Sequence, residues 1–270
     1  MLETLRVTPD YAAAGAKPPE TPAEMKLMLL PPVLDTRTER PLILVVPGGG
    51  YAYTSNREAE PIALRFLAAG FHAAVLRYSC APSVWPTAAV ELAWCVREVR
   101  RRAAEWGVDP HRVFVIGFSA GGHLACTLGT LWKEAPLSLP GDGVSCRPDA
   151  QVLCYPVITL GAFTHAGSRD NLTGGDAALA GALSLEKRVT AEVPPTFLWH
   201  TAADGAVPVE NSLLYAAALR RCGVPFEMHI YERGSHGLAT ADEETSRDPA
   251  QILPEVQTWI DLAVRFLKRR

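Results

Sequence analysis

Gly117-Phe118-Ser119-Ala120-Gly121 sets one serine between two glycines, directly after the apolar run 113–116 and ahead of a helical pattern that begins near Gly122. A strand-to-helix turn of this G-x-S-x-G type holds its serine in a strained, exposed conformation. The flanking glycines are needed because side chains there would meet the neighbouring backbone. The chemistry open to such a serine is nucleophilic attack, and Ser119 is the candidate nucleophile. The same pentapeptide also occurs as a plain Gly/Ser turn, so the rest of the chain has to supply partners.

A serine hydroxyl at such an elbow needs an imidazole to accept its proton and a carboxylate to orient that imidazole, in the chain order Ser, acid, His. Residues 196–201 are apolar and run into Ala202-Ala203-Asp204-Gly205, which puts Asp204 at the end of a strand and just before a helix. Residues 226–231 form the next apolar run and lead into Gly234-Ser235-His236-Gly237, which carries His236 to the same edge. Asp142, Asp149, Asp170, Asp176, Glu192 and Glu210 also lie between Ser119 and His236, but none directly follows an apolar strand. A histidine base makes activity rise with pH as the imidazole loses its proton.

The remaining histidines have plainer readings. His200 lies inside an apolar strand and reads as a core histidine supporting the Asp204 loop. His123, on the first turn after the elbow, reads as a packing or hydrogen-bonding residue, and His72, His111 and His229 as surface or strand positions. His165 falls in a loop-rich segment, where it either touches substrate or is simply solvated. No set of His, Cys and carboxylate residues has metal-ligand spacing, and no cofactor is expected.

Pro47-Gly48-Gly49-Gly50-Tyr51 follows another apolar run, 42–46. Glycines let bare backbone N–H groups approach a developing oxyanion, so Gly49 and Gly50 are candidate donors. Ala120, next to the nucleophile at the start of its helix, is the third. The competing reading, a phosphate cradle, is weakened because neither G-x-x-x-x-G-K-[ST] nor G-x-G-x-x-G spacing is present.

The elements that must position these residues alternate. Runs 42–46, 71–78, 113–116, 150–155, 196–201 and 226–231 read as strands buried on both faces. Segments 58–69, 87–106, 122–132, 209–222 and about 250–268 have helical spacing between and after them. The expected fold class is α/β, a mostly parallel central sheet with helices on both faces, in a single domain spanning 1–270. Residues 25–30 add an antiparallel edge strand, residues 1–24 an irregular arm, and residues 156–195, rich in Gly, Ser, Thr, Asp and Asn, a lid-like insertion that shapes the substrate pocket.

A chain of 270 residues with 48% hydrophobic content can bury a large core, and its net charge of −3 shows no basic excess for a phosphate backbone. A nucleic-acid partner is not expected. No run approaches the roughly 18 consecutive apolar residues of a membrane helix, so no membrane partner is expected either. The six cysteines are scattered without C-x-x-C spacing, which favours reduced thiols and a cytoplasmic location, with a removed signal peptide as the alternative. Oligomeric state is not legible.

Residues 47–51, Arg77-Tyr78-Ser79, Trp106-Gly107-Val108-Asp109-Pro110, residues 117–125, 204–208 and 234–237 together resemble the carboxylesterases of the α/β-hydrolase family. They most resemble the acetyl-esterase and acetylxylan-esterase-like branch, related to the hormone-sensitive-lipase group. Two departures stand out: Pro47 occupies the place where a histidine usually opens the glycine motif, and Ala203 the place of a frequent second acid. Residues 165–172 resemble that branch's insertion segment. The resemblance implies a serine esterase acting on a small-molecule ester with a short acyl group, with acetylated xylo-oligosaccharides as a candidate substrate. Tyr51, Trp85 and His165 are then candidate substrate contacts, with Tyr53 a further stacking face, each aromatic reading equally well as core or rim packing. A feruloyl-type esterase, a serine peptidase-like hydrolase and a non-catalytic ligand receptor on the same scaffold are the alternatives.

Overall fold

The structure, a computed structural model, describes residues 1–32 and 38–270. Eight strands form one sheet: β1 (Leu2–Arg6), β2 (Glu24–Met28), β3 (Arg40–Val46), β4 (His72–Arg77), β5 (Val108–Phe118), β6 (Ala150–Cys154), β7 (Thr196–Thr201) and β8 (Phe226–Tyr231). Their order is β1-β2-β4-β3-β5-β6-β7-β8. Strands β3 to β8 run parallel, whereas β1 pairs antiparallel with β2 and β2 with β4.

Helices α1 (Glu60–Ala68), α2 (Thr87–Arg101), α3 (Ala103–Trp106), α4 (Ala120–Leu131), α5 (Ala166–Thr173), α6 (Ala177–Ala182), α7 (Glu210–Arg221), α8 (Pro254–Gln257) and α9 (Trp259–Lys268) complete the chain. The two-residue alternation of a strand divides the core between the faces. Leu42, Leu44 and Val46 of β3 join Val96 of α2, Leu124 and Leu128 of α4 and Leu219 of α7. Ile43 and Val45 point the other way, toward Phe66 of α1 and Trp259 and Phe266 of α9. Burying both faces explains why these strands read as continuous apolar runs.

The N-terminal arm departs from expectation. Residues 2–6 are not irregular but form β1, whose ladder runs from Leu2 opposite Met28 to Arg6 opposite Glu24. Each β1 side chain is exposed or half-buried, so its order comes from backbone pairing and left no apolar pattern to read. Consequently β2 is an inner strand rather than the edge. The helical pattern 87–106 divides at Arg102, and the last one begins as a 3₁₀ turn, Pro249–Gln251, and then restarts at Pro254, which lacks the N–H to continue a helix. Strand β5 reaches back to Val108 in spite of Pro110, with a register shift against β3 there.

Candidate active site

Ser119 sits between β5 and α4 with φ 53° and ψ −118°, a conformation costly for a side-chain-bearing residue. It persists because its surroundings leave no alternative. Its N–H donates to the Cys154 carbonyl at 3.0 Å, and its own carbonyl accepts from Val157 and His123. Behind the elbow, a Cβ on Gly121 would lie 2.2 Å from the carbonyl oxygens of Val46 and Pro47, so only glycine allows α4 to pack this close to the end of β3.

His236, from the loop after β8, brings Nε2 to 2.7 Å from the Ser119 hydroxyl and Nδ1 to 2.6 Å from Asp204 Oδ2. Asp204 lies just past β7, and its other oxygen accepts the N–H groups of Ala206 and Val207 at 2.9 Å each. Burial works to raise the pKa of this carboxyl, but hydrogen bonds from His200, His236 and the Val207 N–H outweigh it and hold the group well below the usual carboxylate range. An ionised carboxylate only accepts, so Nδ1 of His236 carries the proton and Nε2 is left with a lone pair toward Ser119.

His200 is wholly buried beside this carboxylate. Its Nε2 lies 2.9 Å from the Val207 carbonyl and 3.4 Å from Asp204 Oδ2, and its Nδ1 lies 2.8 Å from the Ser212 hydroxyl. The ring supports the Asp204 loop and does not reach Ser119, in line with its reading from sequence. His123 has Nε2 at 3.0 Å from the Leu183 carbonyl and Nδ1 at 3.0 Å from the Tyr51 hydroxyl, and burial lowers its pKa to about 4. It joins α4 to the segment between β6 and β7.

The glycine loop distributes its donors unequally. The Gly48 N–H is taken by the Glu58 carboxylate at 2.9 Å. Among the described residues, the N–H groups of Gly49, Gly50 and Ala120 have no acceptor. Ala120 opens α4, where the first amides have no intrahelical partner. At Gly49, φ is +128° and a Cβ would fall 2.1 Å from the Tyr53 carbonyl oxygen, so the turn that frees its amide requires glycine.

Ser119 and His236 open into a cleft of about 350 Å³, lined also by Gly49, Gly50, Tyr53, Glu58, His165 and Asn171. Its rim includes Arg57 and Arg247. His165 accepts the Ser168 N–H through Nδ1 at 3.1 Å, capping α5. Nδ1 is therefore the unprotonated nitrogen, and Nε2 is an N–H donor available to the cleft. Burial, then the proximity of His236, lowers the His165 pKa, which keeps the ring neutral. Asn171 donates to the Gly50 carbonyl at 2.9 Å, tying α5 to the glycine loop.

Two expected substrate contacts are corrected. Tyr51 does not line the cleft: with φ 57° its ring turns inward, 3% exposed, against Tyr78 and His123. Its neighbour Tyr53, 56% exposed, faces the cleft instead. Trp85 is also outside the cleft, its backbone N–H donating to the Leu172 carbonyl and its ring half-buried against the core. The sequence reading missed Glu58, Tyr155, Asn171 and the two arginines. Glu58 read as an ordinary helix start and Tyr155 as the end of an apolar strand, and no local pattern distinguishes them.

The model of the BD-FAE family matches residues 29–219, which include the glycine loop, Ser119 and Asp204 but stop short of His236. Endo-1,4-beta-xylanase B of Butyrivibrio fibrisolvens is 37% identical over 214 residues, 76% of this chain and 34% of that protein. An acetylxylan esterase of Xylanibacter ruminicola is 31% identical over 228 residues, 81% of this chain and 45% of that protein. The chain thus matches between a third and a half of the length of these relatives. The crystal structure of an acetyl ester-xyloside bifunctional hydrolase from Caldicellulosiruptor lactoaceticus superposes with a TM-score of 0.87 at 37% identity, covering 99% of this chain and 96% of that one. With more than half its length matched and the same architecture from end to end, the chain belongs to the BD-FAE family and has the α/β-hydrolase fold of carboxylesterases.

Proposed function

We propose that this chain is a serine esterase that removes short acyl groups, above all acetyl, from hydroxyl-rich carbohydrate esters such as acetylated xylo-oligosaccharides. The observation that carries the reading is the continuous relay from Asp204 through His236 to the Ser119 hydroxyl, at 2.6 and 2.7 Å, beside unpartnered amides of Gly49 and Gly50. In the first step Ser119 Oγ attacks the ester carbonyl carbon while His236 Nε2 takes the hydroxyl proton. Asp204 holds the imidazole in the Nδ1–H tautomer and stabilises the imidazolium. The N–H groups of Gly49, Gly50 and Ala120 receive the charge that develops on the carbonyl oxygen. Collapse of the tetrahedral intermediate breaks the bond to the alcohol oxygen, which takes the proton from His236 as it leaves. Water then attacks the acyl-enzyme by the same route, releasing the acid and restoring Ser119.

The substrate class rests on the cleft and on the relatives. Tyr53 offers an exposed aromatic face to a sugar ring, and His165 and Asn171 bring polar groups to the same wall. Matched proteins are named an acetylxylan esterase and an acetyl ester-xyloside hydrolase. The test is a panel of acetyl, butyryl and octanoyl nitrophenyl esters, acetylated xylo-oligosaccharides, methyl ferulate and a peptide amide, with Ser119→Ala as the blank. Release of acetate from the oligosaccharides that vanishes in the variant is the expected result. Preference for methyl ferulate would transfer the proposal to feruloyl esters, and Ser119-independent turnover would end it.

A further inference from the structure

Glu58 is a carboxylate 4% exposed at the end of a 3₁₀ turn, Asn56–Glu58, just before α1. Among the described residues no cation pairs with it within 4.0 Å. Instead both oxygens accept: Oε2 from the Gly48 N–H at 2.9 Å and Oε1 from the Tyr155 hydroxyl at 2.7 Å. Tyr155, just past β6 with φ 36°, in turn accepts the Ala239 N–H at 2.9 Å and lies edge-on to the His236 ring, 5.1 Å between centroids. A buried carboxylate is costly unless it is fully hydrogen-bonded, and an apolar side chain would fill this space more cheaply. What the carboxylate gains is a junction between three loops that follow β3, β6 and β8.

We infer that Glu58 is a positioning residue of the site, fixing the glycine loop and the His236 loop relative to each other through Tyr155; this rests on the reading of residues 49 and 50 as oxyanion donors. By taking the Gly48 N–H inward, Glu58 sets the rotation of the loop and leaves the next two amides unpartnered. The contact is close: a Cβ on Gly48 would lie 2.8 Å from Glu58 Oε2 and 2.9 Å from Ser119 Cβ, so carboxylate and nucleophile press on the same glycine. Through Tyr155 the same group supports the backbone three residues beyond His236. Burial and then the Glu58 charge raise the Tyr155 pKa well above the ordinary tyrosine value, so its hydroxyl stays a donor throughout any assay range.

The test compares the wild-type chain with Glu58→Ala, Glu58→Gln, Tyr155→Phe and the double variant Glu58→Gln/Tyr155→Phe. Two readouts are used: steady-state hydrolysis of 4-nitrophenyl acetate, and the rate at which a fluorophosphonate labels Ser119, where Oγ displaces fluoride at phosphorus. Near-ultraviolet circular dichroism and Tm check the fold. In Glu58→Ala, kcat and the labelling rate should both fall about 10²- to 10³-fold, the scale of a misplaced oxyanion donor, with KM changed less than about twofold. Glu58→Gln keeps an acceptor for the Gly48 N–H but confronts Tyr155 with an amide donor, and Tyr155→Phe breaks the same link, so each should lose about tenfold and the double variant no more. A folded Glu58→Ala with kcat and labelling within about threefold of wild type, a loss confined to KM, or additive losses in the double variant would overturn the inference. If Glu58→Ala does not fold, the Gln and Phe variants decide by the same criterion. Should no ester be turned over, the labelling rate still measures whether Ser119 depends on Glu58, so failure of the esterase reading and failure of this one remain distinct.

Discussion

The edge of the sheet where Ser119, Asp204 and His236 meet and the segment between β6 and β7 are built on opposite terms. At the sheet edge each residue follows a strand, and backbone amides grip the two residues nearest the core: Ser119 through Cys154 and Val157, Asp204 through Ala206 and Val207. Residues 156–195 instead carry two short helices, α5 and α6, with exposed outer faces, on a base that packs into the core through Val157, Ile158, Leu160, Leu172, Leu183 and Leu185. Side-chain hydrogen bonds fasten the segment further. Asn211 on α7, wholly buried, accepts the N–H groups of Ile158 and Thr159, His123 faces Leu183, and Asn171 reaches Gly50. The first region has little freedom to vary because its geometry is the backbone of the sheet. In the second, the exposed residues of α5 and α6 can change without disturbing the sheet, which suits a wall that selects the ester.

If that division holds, substitutions at the sheet edge act on turnover and substitutions in the segment act on selection. The largest effect should come from Ser119→Ala, with a loss on the order of 10⁶ in kcat on 4-nitrophenyl acetate, as in triad knockouts of another serine hydrolase. Retained turnover would remove the sheet edge from the chemistry. Asp204→Asn should follow, losing on the order of 10⁴ because an amide no longer selects the Nδ1–H tautomer of His236. A KM effect with kcat preserved would make Asp204 a binding residue instead.

Smaller effects sharpen the other side of the comparison. His165→Asn retains a residue able to cap α5 but withdraws the imidazole from the cleft, so KM for acetylated oligosaccharides should rise about tenfold, with 4-nitrophenyl acetate changed less than about twofold. Equal losses on both esters would place His165 with the chemistry. Trp85→Ala should alter kcat/KM for either ester by less than about twofold, because its ring lies outside the cleft. A substrate-specific loss there would extend the binding wall past Leu172.

His123 joins the two regions and offers a test of stability rather than rate. Its folded pKa is about 4, against 6.5 in the unfolded chain, so between these values the unfolded chain binds a proton that the folded protein does not. Stability from this group is therefore complete above pH ~6.5, declines as pH falls toward ~4, and amounts to about 3 kcal/mol at most over that window. Urea unfolding at pH 7 and pH 4.5 should show this slope in the wild type and a weaker one in His123→Leu. Parallel slopes would mean that the buried ring takes up its proton without loss of packing.

Much of this is legible in the amino-acid order. The apolar run 196–201 coincides with β7, which is buried along its whole length, whereas 226–231 coincides with β8 although that outer strand is only half-buried and carries Glu227 and His229, so it is not the doubly buried strand expected. The glycines around Ser119 and in the 47–51 loop announced close backbone approach, and chain order named Asp204 and His236. Strand β1 was not legible, because a strand held by its ladder with mostly exposed side chains leaves no alternation to find. Nor were the directions of Tyr51 and Tyr53, two aromatics on one loop: a left-handed φ at Tyr51 turns one ring into the core and leaves the other in the cleft.

The alternation of strands and helices, the serine elbow and the residue types able to complete it are written in the order of the amino acids, since each depends on local periodicity or on steric demands of neighbouring glycines. Which polar groups meet is a property of the folded chain. Glu58 and Tyr155 stand 97 positions apart, yet share one buried hydrogen bond, and Asn171 reaches Gly50 across 121 positions. Such pairs leave no local trace because a hydrogen bond requires only that two groups arrive within about 3 Å, and arrival is set by how the strands cross the sheet.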